Sequence, residues 1–413
     1  MLSFDAVQTV ACGGLFLIAG YAIRRHVPVL ARFSIPAPVI GGLLVALAML
    51  VFHQWGVTPV HFDTTLEQPL MIAFFTSIGF NASASLLKVG GRQILLFLAL
   101  ATVIGVVQNL AGIGLAELFG LPPLFGVITG SVTLMGGPAT GMAFAPLFAD
   151  AGVHGAASVA LANAMAGIVL GSVIGAPVAT MLIERLKLRP RAEQTGGQTD
   201  IPVVAAGPAA ATVEAAAVPV TPTSNDEQVY AGLRSFVFVL IAMAVGAWIS
   251  GWMSGAGITL PSYIGAMLIG ALIRNAGDRY RVFGLSPRSI DTIGNISLSL
   301  FLVMALMNLH LWDLSGLALP LLATLAVQTV IVVAFCCWPL VQLMGRDYDA
   351  AVMASGFIGF MLGTTANAVA VMSSLTERFG AAPRAFLVAP IVGAFLMDFT
   401  NALVITGFVN FLK

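Results

Sequence analysis

Apolar residues occur along this chain in long blocks, not at the three-and-four spacing of a surface helix or the alternation of a half-buried strand. Blocks near 6–23, 36–52, 69–87, 94–116, 156–183, 235–254, 258–273, 290–308, 317–343 and 384–411 each approach the roughly 20 apolar residues a helix needs to cross a bilayer. The pattern predicts ten spanning helices. Two further blocks, 122–149 and 348–375, are apolar yet studded with Gly, Pro, Thr and Asn. They read as re-entrant hairpins. Residues 184–233 open with Glu184-Arg185-Leu186-Lys187 and continue through Ala, Pro, Thr and Gly without a helical period. Such a stretch cannot offset its ordering entropy, so it predicts a flexible linker between two halves, 1–183 and 234–413.

The halves resemble each other. Ile35-Pro36-Ala37-Pro38-Val39-Ile40-Gly41-Gly42 answers to Leu260-Pro261-Ser262-Tyr263-Ile264-Gly265, and Val107-Gln108 answers to Val327-Gln328. Each half places its hairpin between its fourth and fifth spans. Five spans is an odd number, so the second half enters the membrane upside down relative to the first, as in secondary transporters. The expected fold is therefore an all-α polytopic membrane protein, two inverted five-helix repeats each carrying a hairpin.

Charge supports the same topology, because Lys and Arg in short loops collect on the cytoplasmic side. With the linker inside, seventeen of the eighteen Lys and Arg fall in inner loops and Lys413 alone lies outside. Both termini then face outward, in a multi-pass protein of the bacterial inner membrane. The hairpins enter from opposite faces, and their tips can meet near the midplane. Non-helical backbone at that depth survives only where protein or a water-filled cavity satisfies it, so the tips predict a solvated site.

Composition narrows the function classes. Of 413 residues, 59% are apolar and 9% charged, with eighteen acids against eighteen Lys and Arg, and the mean hydropathy is +0.99. No basic surface is available to neutralise a phosphate backbone, which excludes nucleic acid as a partner. Cys12, Cys336 and Cys337 sit in apolar runs with no metal or disulfide spacing, and the five histidines form no paired-ligand motif, so no metal enzyme is expected. Asp5 is the only charge before an apolar run ending at Arg24-Arg25, which reads as a retained membrane helix and not a cleaved leader.

Few residues remain to carry chemistry. The first tip contains Gly136-Gly137-Pro138-Ala139-Thr140-Gly141, and a half-helix starting after such a turn directs its N–H groups at a carboxylate. The second contains Gly363-Thr364-Thr365-Ala366-Asn367, offering hydroxyls, an amide and freed carbonyls. Gly136, Gly137, Thr140, Gly141, Gly363, Thr364, Thr365 and Asn367 are the candidate substrate residues. Asp398 is the only acid deep in an apolar run, with Asn401 at i+3 on the same face. An aspartate at a helix centre costs about 2.5–3.5 kcal/mol to insert, so it calls for a cation, a proton or a donor. Asp398 and Asn401 are the candidate ion site, sodium being the metal considered. Asn163 precedes Gly167, Gly171 and Gly175 at four-residue spacing, a packing stripe. The third and eighth spans carry Gly, Asn and Ser at equivalent positions, where path lining and interhelical bonding are both open.

On these residues the chain resembles the glutamate:sodium symporter family. The resemblance is carried by Ile35-Pro36-Ala37-Pro38-Val39-Ile40-Gly41-Gly42, Gly294-Asn295-Ile296-Ser297-Leu298-Ser299, Tyr348-Asp349-Ala350-Ala351-Val352, Thr376-Glu377-Arg378-Phe379-Gly380, and Asp398 leading to Asn401-Ala402-Leu403-Val404-Ile405. It implies a sodium-coupled importer of L-glutamate or a related amino acid or carboxylate, with Na⁺ as coupling ion and no cofactor. It also implies a homodimer in the lipid bilayer working by an elevator-type motion. The first tip departs from the family's pattern, with Met135 and Pro138 where family tips carry Ser and His. That leaves a carrier for a different organic anion as an alternative. A passive channel is a second, since re-entrant segments also build pores. An intramembrane aspartyl protease would need two deep acids where this chain has one.

Overall fold

The computed structural model describes residues 2–56, 60–83, 91–190, 225–255, 260–280, 283–314 and 316–412. Most of the expected linker, with Lys88, Arg191, Arg281 and Lys413 from the charge count, lies outside the described residues.

The described chain is almost wholly helical: α1 Ala6–His26, α2 Ala37–Gln54, α3 Glu67–Asn81, α4 Gly91–Leu118, α5 Pro123–Val127, α6 Gly137–Asp150, α7 Ala156–Arg185, α8 Asn225–Gly255, α9 Ser262–Tyr280, α10 Pro287–Met307, α11 Ala318–Phe335, α12 Tyr348–Met361, α13 Thr365–Phe379, α14 Pro383–Ile391 and α15 Met397–Leu412. Seven helices among the described residues are long and apolar enough to cross a membrane. Local chemistry sets several ends. Asp5 and Gln8 form a reciprocal capping box on α1, at 2.8 and 3.1 Å, and Arg24, Arg25 and His26 occupy its last turn, where the helix dipole favours cations.

Three features depart from the simplest reading of the apolar blocks. First, α8 begins at Asn225, inside the stretch expected as linker, with Asp226 and Glu227 in its first turn. Hydropathy marks where the membrane ends, and a helix continues past that level on its own hydrogen bonds. Second, two expected rods are interrupted. The ninth breaks at Trp338 (φ −169°, ψ 117°), the residue before Pro339, as proline disfavours helical backbone at the preceding position. The tenth passes through a wide turn at Val392–Leu396, just after Pro390, which supplies no N–H to the ladder. Third, Leu2–Phe4 and Val60–Phe62 form a short parallel pair, Leu2 opposite Val60 and Phe4 opposite Phe62, below the length that apolar patterning detects.

Both glycine-rich blocks are helix–turn–helix units. The first runs through α5 and a wide turn, Ile128–Val132, to Leu134, then turns into α6. The second is α12, a turn at 362–364, and α13.

The helices pack as two groups. α1, α2, α3, α8, α9 and α10 contact one another extensively, while α4 to α7 and α11 to α15 form the second group around both hairpins. Each group therefore draws the first three long helices, or the remainder, from both halves of the sequence. Small residues permit the closest crossings. A Cβ at Gly112 would collide with the Gly126 backbone, so α4 and α5 touch main chain to main chain.

Candidate functional site

The two tips are in contact. A Cβ built at Gly137 would lie 3.3 Å from Thr364 Cγ2 and 3.5 Å from the Gly363 carbonyl oxygen. Gly137 has φ +67°, a left-handed conformation that a side chain resists, so glycine is required where the chain reverses into α6. Helices α6 and α13 both start at this junction, at Gly137 and Thr365. Two positive helix ends are thereby brought to one place, an arrangement suited to a carboxylate. Thr140 and Gly141 lie one turn into α6 and are buried, Thr140 against Gly136 and Gly141 against Thr133 and Ala160.

The second tip is tightly hydrogen bonded. Thr364 caps α13 by accepting from the Asn367 N–H at 3.3 Å. The Asn367 amide donates to Ile168 O at 3.0 Å and Gly359 O at 3.3 Å and accepts from Ser172 Oγ at 2.5 Å. Thr365 Oγ1 donates to Gly393 O at 2.6 Å. These bonds fasten the tip to α7 and to the wide turn before α15. The glycine stripe of α7 sits against the same structure. A side chain at Gly167 would meet the Leu362 carbonyl, one at Gly171 the Asn367 amide, and one at Gly175 the Ser355 carbonyl.

The first hairpin is different one turn below its tip. Gly130 leaves the helical region (φ −95°, ψ −127°), and three asparagines from three helices converge on the broken turn. Asn109 Oδ1 accepts from Ser131 N at 2.8 Å. Asn163 Nδ2 donates to Thr129 O at 3.0 Å and Thr133 Oγ1 at 2.7 Å. Asn401 Nδ2 donates to Ser131 O at 3.0 Å. Each amide is oriented by the backbone, and Asn109 Nδ2, Ser131 Oγ, Asn163 Oδ1 and Asn401 Oδ1 are buried without a partner among the described residues. Apolar sequence around Asn109 hid it from sequence reasoning, Ser131 stood out only as part of the first hairpin, and Asn163 passed as the head of a packing stripe. The available signal was an amide in each of three spanning helices, a side chain that needs partners in hydrocarbon.

Asp398 is half-buried on α15, three residues before Asn401, and makes no hydrogen bond or ion pair among the described residues. Its partner is thus left open, with Asn401 fixing the adjacent turn of the same face to the first hairpin. Gln108 and Gln328, noted in the sequence only as matching positions of the two halves, meet at the crossing of α4 and α11. Gln328 Nε2 donates to Gln108 O at 2.7 Å, and Gln108 Nε2 donates to Met361 O, next to the second tip, at 3.1 Å. In the other helix group, Asn81 Nδ2 donates to Asp291 Oδ1 at 2.7 Å, so the polar residues of α3 and α10 include an interhelical bond. A cavity of about 310 Å³ lies between the groups, lined by Glu67, Met142, Ser158, Asn308, His310 and Asp313 among others. Among the described residues, no three His, Cys, Asp or Glu are grouped to hold a metal ion.

A family model described as sodium/glutamate symporter matches residues 2–381. The sodium/glutamate symporter of Escherichia coli (strain K12) is 39% identical over 406 residues, covering 98% of this chain and 97% of that protein. The sodium/glutamate symporter of Haemophilus influenzae is 36% identical over 403 residues, covering 97% and 96%.

Proposed function

The chain belongs to the sodium/glutamate symporter family, and from that premise we propose that it couples inward sodium movement to import of L-glutamate or a closely related carboxylate. It is a membrane transporter, with Na⁺ as coupling ion and no organic cofactor. The single observation that carries the substrate reading is the contact of the two hairpin tips at the N-termini of α6 and α13.

In this reading Gly136, Gly137, Thr140, Gly141, Gly363 and Thr364 form the substrate site, with the helix ends facing the carboxylates. Thr365 and Asn367 hold the second tip in position through their bonds to Gly393, Ser172 and Ile168. Asp398 supplies negative charge for the coupling ion, and Asn401 ties that turn to the first hairpin. Sodium binding orders the hairpin junction and so raises substrate affinity, a coupling that linkage requires to be reciprocal.

The topology proposed is the inverted repeat, with a cytoplasmic linker and both termini outside. Transport follows from movement of the hairpin-bearing group, α4 to α7 and α11 to α15, past the group α1 to α3 and α8 to α10, in a homodimer. The division of the helices into two packed groups supports this elevator reading. A different organic anion is the competing substrate, favoured by Pro138, which removes one N–H donor from the first turn of α6.

The test is radiolabelled uptake in proteoliposomes, comparing L-glutamate, D-glutamate, aspartate and dicarboxylates with and without a sodium gradient. Accumulation of L-glutamate against its gradient only with sodium is the expected result. Equilibration without accumulation would identify a channel, and accumulation of another anion alone would identify the competing carrier.

A further inference from the structure

We propose that the broken turn at Gly130 is the site of the coupling sodium ion, with Ser131 Oγ, Asn163 Oδ1 and Asn401 Oδ1 as side-chain ligands. This rests on the sodium-coupled reading above and assigns residues to it. Ser131, Asn163 and Asn401 are 0, 2 and 1% exposed, and among the described residues none of these three oxygens has a hydrogen-bond donor. A buried polar atom without a partner costs about 1–3 kcal/mol, and proteins rarely leave several together without a use.

The orientation of the oxygens follows from the backbone. Rotating the Asn401 amide would set oxygen against the Ser131 carbonyl, and rotating that of Asn163 would set oxygen against the Thr129 carbonyl. Each Nδ2 is therefore committed to a main-chain oxygen, and each Oδ1 is left to accept. The hydroxyl of Ser131 lies in the same turn, on the residue whose carbonyl Asn401 binds and between Thr129 and Thr133, which Asn163 binds. Helices α15 and α7 and the first hairpin thus each contribute an oxygen acceptor, and the Ser131 hydroxyl hydrogen is free to rotate away from the ion.

A hard monovalent cation is the ligand that fits acceptors of this kind. Water or substrate oxygen completes its shell. The three ligands are neutral, and Asp398, three residues before Asn401 on the same helix, supplies the countercharge that a buried cation requires. Asn109 Nδ2 is a donor and stands outside the ligand set. The site also explains coupling, because an ion bound here fastens the first hairpin to α7 and α15 directly beneath the tip that meets Thr364.

Equilibrium binding of ²²Na⁺ to the purified full-length protein tests this, with and without L-glutamate. Ser131→Ala and Asn163→Ala are expected to weaken sodium binding roughly tenfold or more, the scale of one lost bond to a charged group. Thr406→Val, whose hydroxyl bonds within its own helix, is expected to leave it unchanged. Ser131→Ala removes one atom only and leaves the Ser131 backbone bonds in place, so it reads the site if Asn163→Ala does not fold. Wild-type sodium binding by both Ser131→Ala and Asn163→Ala, or no binding by the wild-type protein with L-glutamate present, overturns the assignment. The two readings fail separately. Sodium-driven glutamate uptake with unaltered binding in both variants rejects this site alone, whereas ²²Na⁺ binding that the variants weaken, without glutamate accumulation by the wild type, rejects the substrate reading alone.

Discussion

The two hairpins share a plan and spend their polar groups differently. In the second, Thr364 caps its helix and both the oxygen and nitrogen of the Asn367 amide are bonded, so the tip is held by its own side chains. In the first, α6 begins without a side-chain cap, the arm breaks at Gly130, and four buried polar atoms around the break lack partners among the described residues. Satisfied groups stabilise a shape, while unsatisfied ones cost stability that a ligand restores. The first hairpin is therefore read as the responsive element and the second as the fixed wall against which it closes.

Substitutions separate these roles. The largest effect is expected at Asp398→Asn, with sodium-driven uptake at subsaturating sodium reduced on the order of a hundredfold, about 3 kcal/mol of ion binding. Its melting temperature in detergent should stay close to wild type. Asn367→Ala should behave in the opposite way, costing about 2 kcal/mol of stability by removing the amide that binds Ser172, Ile168 and Gly359. Thermal unfolding registers that loss, and ²²Na⁺ binding should persist. Gly137→Ala imposes about 1–2 kcal/mol of left-handed strain and tightens the 3.3 Å approach to Thr364, so substrate affinity should fall roughly tenfold in a binding titration. Thr364→Ala is the mildest, costing about 1 kcal/mol through loss of the cap. Equal stability losses at Asp398 and Asn367 would erase the contrast between the ion site that α15 brings to the first hairpin and the bonded tip of the second.

The all-α, polytopic character was legible because burial in lipid leaves a strong mark on composition. A spanning helix must satisfy its backbone internally and present apolar side chains over a fixed length, so blocks such as 94–116 announce themselves. The hairpins were legible for the converse reason: Gly136-Gly137 and Gly363-Thr364-Thr365 are poor material for an uninterrupted rod, and the chain turns at both. Asp398 and Asn401 stood out because polar groups are rare at that depth. Helix ends beyond the membrane, such as Asn225, did not, since hydropathy is silent once the solvent is water.

The sequence by itself determined that this protein lives in a bilayer, where its two chain reversals lie and which acid is isolated, because each is a local property of residue type and spacing. Only the tertiary structure decided that Asn109, Asn163 and Asn401 gather on one broken turn, that Thr364 meets Gly137, and that Asn367 faces α7. Residues 109, 131, 163 and 401 are brought together by helix crossings, and the direction an amide faces there is set by neighbouring carbonyls that a linear pattern does not contain.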